Sequence, residues 1–173
     1  MRLDSGFFRR DVLEVAHDLI GKTLVRNYDQ QLYKFIVTEV EAYGGIEDQA
    51  SHARFGKTRR NAVMFEQGGL VYVYLIYGMY WMLNVVTGMQ EEPQAILIRG
   101  LEGISGPGKL TKKLFIDKSF YGEDLSLSNR IWFEENDNES FILRQPRYGI
   151  DYAQEPWKSM PWRFIKAPLL QNS

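Results

Sequence analysis

Residues 70–86 read LVYVYLIYGMYWMLNVV, and this stretch decides the fold. Two runs rich in aromatic and β-branched residues, Leu70 to Ile76 and Met79 to Val86, flank Tyr77-Gly78. The pattern predicts a β-hairpin closed by a two-residue turn, with glycine supplying a positive φ. Tyr77 then sits in the turn itself and points away from both strands. Behind it, Tyr72, Tyr74, Tyr80 and Trp81 supply more rings than one sheet core ordinarily needs.

Upstream, Asp11 and Glu14 have capping-box spacing, and Val12, Leu13, Ala16, Leu19 and Ile20 repeat with helical period before Gly21. A helix over 11–20 with a glycine cap is expected, and His17 lies off its apolar stripe. Lys22 to Arg26 and Gln31 to Tyr43 read as strands joined by a turn at Asn27 to Gln30. Residues 44–68 carry Gly44, Gly45, Gly56 and Gly68 without periodicity, as a long loop or short helical pieces anchored by Met64 and Phe65. Downstream, Ala95 to Leu101 is a strand, and Gly106 to Phe115 opens on a Gly-Pro-Gly turn and continues as a short basic helix. Short strands and loops follow, ending on a packed strand around Pro161, Trp162 and Phe164. No repeat or linker interrupts the chain. The expected fold is α+β: a single compact domain over 1–173, a mostly antiparallel sheet with flanking helices and a protruding hairpin.

A chain of 173 residues can bury roughly 70% of its unfolded surface. It contains no cysteine and two histidines, His17 and His52, which disfavours disulfides and a zinc or iron site, so no metal or cofactor is expected. The N-terminus lacks the apolar run of a signal peptide, and the most apolar stretch is broken by Gly78 and Asn84. A cytoplasmic, monomeric protein with no membrane attachment is expected. The net charge of −1 counts against affinity drawn mainly from phosphates, yet the cations cluster. Arg54, Lys57, Arg59 and Arg60 form one group and Lys109, Lys112, Lys113 and Lys118 another, while Glu134, Glu135, Asp137 and Glu139 gather in what reads as a remote loop.

Residues 38–61, TEVEAYGGIEDQASHARFGKTRRN, carry the candidate chemistry. On a strand, Glu39, Glu41 and Tyr43 share one face, and Ile36, Val40 and Ala42 form an ordinary core face on the other. An isolated strand glutamate is ordinarily half of a surface ion pair. Two of them beside a ring, followed by a histidine and a basic loop, suit work on a nucleobase. Reaching a base inside a duplex requires extruding it, with a side chain such as Tyr77 wedged into the gap and a ring-lined pocket to receive it. A carboxylate near C1′ can then stabilise positive charge on the sugar and deprotonate the attacking water. Alternation does not distinguish Glu39 from Glu41.

The segments TEVEAYGG–EDQASHAR, RRNAVMF, YVYLIYGMYWMLNVV, ILIRGLE, GPGKLTKKL–I–KSF and RYGI–PWRF, in this order over nearly the whole chain, resemble the alkyladenine (3-methyladenine) DNA glycosylase family. The resemblance implies a mixed α/β domain whose hairpin enters the minor groove of double-stranded DNA. It also implies hydrolytic release of alkylated or deaminated purines, including 3-methyladenine, 7-methylguanine, hypoxanthine and ethenoadenine. By the same resemblance Glu41 is the general base, Tyr43 and Tyr74 stack on the flipped purine, and His52 hydrogen-bonds and stacks on it. Asn84 walls the pocket against the guanine 2-amino group, and Ile150 packs beside the catalytic water. Tyr77 intercalates with Met79 beside it at the DNA-contacting tip, Arg99 lies near the flipped nucleotide's phosphate, and Arg60, Lys109 and Lys118 contact the backbone. The basic loop is one residue shorter than the family pattern, so Lys57 and Thr58 receive no individual roles. A non-catalytic binder of damaged or structured nucleic acid could use the same rings, and a hydrolase of small carbohydrates or nucleosides the same carboxylates.

Overall fold

The computed structural model describes residues 1–137 and 140–168. In chain order it contains α1 (Ser5–Phe8), α2 (Val12–Leu19), β1 (Thr23–Tyr28), β2 (Gln31–Gly44), β3 (Val71–Ile76), β4 (Tyr80–Thr87), β5 (Gln94–Leu101), β6 (Ile104–Ser105), α3 (Pro107–Lys113), β7 (Ile131–Glu134), β8 (Ile142–Gln145) and β9 (Arg163–Lys166). Among the described residues, no helix is long and apolar enough to cross a membrane.

The nine strands form one curled antiparallel sheet, with main order β3-β4-β5-β2-β1-β7 and the short strands β6, β8 and β9 added at its margins. β2 is the spine. Its first half, Gln31 to Ile36, pairs with β1. Its second half pairs with β5 along one edge and with β9 along the other. The change of partner falls at register shifts on either side of Glu39, an irregularity that bends a strand and re-aims its side chains.

Two-residue alternation then divides the sheet. On one face Val40 and Ala42 of β2, Val71 and Val73 of β3, Leu83 and Val85 of β4, and Ile96 and Ile98 of β5 form a core with Val15, Leu19 and Leu110 from α2 and α3. The opposite face carries Glu41, Tyr72, Tyr74, Asn84 and Arg99 from the same strands. The Asp11 side chain caps α2 by accepting from the Leu13 N–H at 2.8 Å, and Gly21 adopts φ 88°, as the capping signals imply.

The loop ends differ from the sequence expectation in instructive ways. Asp29 and Gln30 alone turn β1 into β2, both at positive φ, so β1 runs on to Tyr28, past the expected end at Arg26, while β2 starts at Gln31 as expected. The β3–β4 connection spans three residues, Tyr77 to Met79, because Ile76 pairs with Tyr80. Tyr77 (φ 50°) and Gly78 (φ 65°) both adopt left-handed backbone there, and the Met79 N–H donates to the Ile76 carbonyl at 3.1 Å. Trp81 turns to the core face, while Tyr72 and Tyr74 lie on the opposite side. Residues 44–68 form two 3-10 turns, His52–Phe55 and Ala62–Phe65. The acidic group is not a free loop: Glu134 ends β7 and pairs with Lys34, and Glu135 pairs with Lys22. Glu139 lies outside the described residues.

One buried ion pair ties the end of β2 to the segment over it. Arg147 and Asp48 side chains are both fully buried and meet in a two-pronged contact, Nη1 to Oδ2 at 2.6 Å and Nη2 to Oδ1 at 3.0 Å. Arg147 Nη1 also donates to the Ala42 carbonyl at 2.9 Å, and Asp48 accepts from the Gly44 and Ala50 N–H groups at 2.9 and 3.0 Å. A small apolar cluster of Ala50, Ile150 and Ala153 packs alongside. Removing one partner leaves an uncompensated buried charge, so Arg147→Met is expected to cost about 3–5 kcal/mol in urea unfolding. The double variant Asp48→Asn/Arg147→Met is expected to lose less than the sum of the single changes. Additive losses would show that the two side chains are energetically independent.

Candidate active site

A cavity of about 630 Å³ opens on the reverse face of the sheet. Its floor follows from strand register. Tyr72 lies opposite Asn84, Asn84 opposite Leu97, and Leu97 opposite Glu41, so four strands contribute one straight row. At ordinary strand spacing the two ends of that row are about 14 Å apart. Tyr43, Tyr74, Met82 and Arg99 flank the row, His52 and Arg60 close one side, and Tyr148, Ile150 and Tyr152 the other.

Glu41 has no exposed side-chain surface, yet it borders this cavity. Its Oε1 accepts from the Tyr43 hydroxyl at 3.2 Å and from Arg99 Nη1 at 3.3 Å, and its Oε2 accepts from the Tyr148 backbone N–H. Burial raises the Glu41 pKa above the ordinary 4.5, opposed by the Arg99 charge, the Tyr148 N–H, the Tyr43 hydroxyl and the Arg147 charge. A carboxylate so placed is a stronger base than an exposed one and still has donors for its charged form.

The rings form the opposite wall. His52 meets Tyr74 edge-on at 4.4 Å between centroids, and its Nδ1 lies 3.1 Å from the Tyr72 hydroxyl. Burial, with help from the Arg60 and Arg54 charges, lowers the His52 pKa to about 4, so the imidazole is neutral at neutral pH. Burial likewise pushes the Tyr74 hydroxyl up to about 12 and Tyr43 well above its usual value, keeping both phenols protonated. The Arg60 guanidinium covers the Tyr74 ring at 5.1 Å.

His52 owes its place to Asn61, which is 2% exposed. Asn61 donates to the carbonyls of His52 and Gly56 at 3.1 and 3.0 Å and accepts from the Thr58 N–H at 2.7 Å, stapling the basic loop across itself. The Ser51 side chain caps the His52 turn through the Ala53 N–H at 3.1 Å. The Asn84 amide donates to the Tyr72 and Met82 carbonyls, which fixes it in the floor.

Nine of the sequence candidates therefore border one cavity: Glu41, Tyr43, His52, Arg60, Tyr74, Tyr77, Asn84, Arg99 and Ile150. Met79, Lys109 and Lys118 do not. Met79 is exposed at the hairpin tip, Lys109 is exposed on α3, and Lys118 lines a second groove of about 610 Å³ with Arg59, Arg60, Trp81 and Tyr121. Arg99 does not reach out alone; it lies between Glu39 and Glu41. Tyr72, named in the sequence only as one of several surplus rings, holds His52, and Asn61, Asp48, Arg147 and Tyr148 are positioning residues that sequence reasoning did not single out. Their signals are weak: a strand tyrosine, a loop asparagine and an ion pair that spans 99 residues. Among the described residues, no group of three or more His, Asp or Glu side chains is arranged to hold a metal ion.

Residues 6–105 and 102–168 match the family profile of methylpurine-DNA glycosylase (MPG). Proteins named as 3-methyladenine DNA glycosylases from Natranaerobius thermophilus and Clostridium novyi are each 42% identical to the chain. The first alignment covers 95% of this chain and 94% of the relative, the second 94% of both. A relative from Borreliella burgdorferi with the same name is 42% identical over 94% of each chain. With the profile spanning nearly all of the sequence and these relatives aligned end to end, the chain belongs to the methylpurine-DNA glycosylase family and is a DNA-repair glycosylase.

Proposed function

We propose that the chain acts as one glycosylase domain, a monomer, which turns alkylated purines such as 3-methyladenine and 7-methylguanine out of duplex DNA and hydrolyses their N-glycosidic bond. The observation that carries this reading is Glu41, a fully buried carboxylate at the wall of a cavity lined by Tyr43, His52 and Tyr74. The C1′–N bond breaks with its electron pair leaving on the base, and positive charge builds on the sugar. Glu41 stabilises that charge and takes a proton from the water that adds to C1′. The products are the free base and an abasic site.

Charge explains the choice of lesion. A purine alkylated at N3 or N7 is a cation, attracted to the faces of electron-rich rings. The neutral His52 opposite adds no repulsion. Such a base becomes neutral as it departs and needs no proton. Hypoxanthine or ethenoadenine leaves only with a proton supplied, and an imidazole with a pKa near 4 is a poor donor at neutral pH. These neutral lesions are therefore the slower substrates in this proposal. Asn84 disfavours the 2-amino group of guanine, Ile150 shelters the attacking water, and Arg99 adds positive charge on the phosphate side. Tyr77 fills the gap left by the extruded base with Met79 beside it, while Arg60, Lys109 and Lys118 meet the backbone.

Purified protein incubated with methylated duplex DNA in the presence of EDTA is expected to release free 3-methyladenine; duplex binding without release would favour a non-catalytic binder. Glu41→Gln is expected to lower single-turnover excision by about 10³-fold while leaving lesion-duplex affinity within a few-fold. Wild-type rates in that variant would remove Glu41 from its role. Excision should plateau at high pH and fall as Glu41 takes up a proton, with the acid limb above the ordinary glutamate value of 4.5 because burial raises its pKa. A limb at or below that value contradicts a buried base. Tyr77→Ala is expected to weaken duplex binding roughly tenfold, from the stacking lost at the tip. Unchanged affinity in a fluorescence titration would argue against insertion.

A further inference from the structure

The first carboxylate of the EVE segment, Glu39, has no place in the reaction described above. It is not a surface residue, since its side chain is only 19% exposed, and it lies against the same arginine that meets Glu41. Arg99 Nε is 3.4 Å from Glu39 Oε1, and Arg99 Nη1 is 3.3 Å from Glu41 Oε1. Both separations are long for charge-assisted contacts, which usually measure about 2.7–2.9 Å. The Nε group is buried and makes no hydrogen bond to any described residue. Arg99 is thus suspended between two acids and locked onto neither.

Glu39 is itself fixed from the other side. Arg163 Nη1 donates to Glu39 Oε1 at 3.1 Å. Arg163 is anchored by the Pro146 carbonyl at 2.8 Å and by Gln145 Oε1 at 2.6 Å. The result is a chain of alternating charge, Arg163, Glu39, Arg99, Glu41. The ring of Tyr148 packs on both arginines, 4.0 Å from Arg163 and 4.9 Å from Arg99, so the arrangement is held laterally as well. The other groups facing Glu41 are Tyr43 on β2, Tyr74 on β3, and Arg147 with the Tyr148 N–H from the covering segment.

We propose that Glu39 is a positioning residue that divides the charge of Arg99 and so sets how strongly Glu41 holds a proton. This rests on Glu41 being the base. Were Arg99 given wholly to Glu41, the carboxylate would be stabilised as an anion and become a weaker acceptor. With Glu39 drawing part of that charge away, and adding its own negative field, Glu41 remains the better base. Arg163 limits the effect by neutralising Glu39 in turn.

The two neighbours make opposite predictions for one observable. Glu39→Gln keeps the shape and one acceptor oxygen but removes the charge, so Glu41 loses its proton more easily. The acid limb of single-turnover excision on methylated duplex is expected to shift down by about one pH unit. Excision itself should survive at neutral pH, unlike in Glu41→Gln. Arg163→Gln leaves Glu39 free to draw Arg99 from Glu41, and the limb is expected to move up. A purely structural role would lower rates in both variants and move neither limb. An unmoved or upward-shifted limb in folded Glu39→Gln protein overturns the inference, and if Arg163→Gln does not fold, that arm decides alone. Loss of the Glu41 requirement would instead overturn the underlying reaction, so the two failures are told apart.

Discussion

Taking a carboxylate wholly out of water costs several kcal/mol unless the fold supplies donors for it. Glu41 is in that position, and much of the molecule around it can be read as the answer. Arg99 on β5, the Tyr43 hydroxyl on β2 and a backbone N–H at Tyr148 converge on its two oxygens from three directions. The last of these has no side chain behind it, and the Arg147–Asp48 pair fixes it in place. One buried charge thus calls for a second buried charge pair, which explains why a slightly acidic, cysteine-free chain spends a fully buried arginine beside its cavity.

The sheet makes this affordable by keeping its two faces apart. β2, β3, β4 and β5 each give apolar residues to the core and alternate residues to the cavity, so the floor of the site is sheet and only its sides are loops. β2 is where the division is sharpest. Val40 and Ala42 are fully buried in the core while Glu41 between them faces the other way. The irregularity around Glu39 lets the same strand serve β1 first and then β5 and β9, so both acids and both arginines reach one side.

What the sequence could reveal follows from the same physics. Alternation in TEVEAYG and YVYLIY is local, so the face shared by Glu39, Glu41 and Tyr43 and the pairing of two strands across Tyr77 were both legible. The three-residue connection was less so, because Tyr77-Gly78 signals positive φ but says nothing about where pairing resumes. Trp81 illustrates a further limit: richness in rings does not say which ring faces which side. Contacts between remote segments were invisible. Asp48 reads as one more loop acid and Arg147 as one more surface cation until the chain brings them together. Glu39 and Glu41 were indistinguishable by spacing, and what separates them is burial: Glu41 has no exposed surface and three donors, while Glu39 is part-exposed between two guanidiniums.

The hairpin tip raises the converse question of a feature the isolated fold does not need. Tyr77 is 87% exposed and Met79 64%, so two large apolar side chains stand in water. Tyr77 also adopts a backbone conformation that costs a non-glycine residue about 1–2 kcal/mol and that a glycine would take freely. Neither expense is recovered inside the protein, since nothing in the core depends on that ring. The tip lies at the mouth of the cavity that holds Glu41. On the proposed function both costs are repaid outside the protein, where a rigid turn presents the ring ready to enter a duplex. Flexibility at that point would return the ordering entropy to be lost on every encounter.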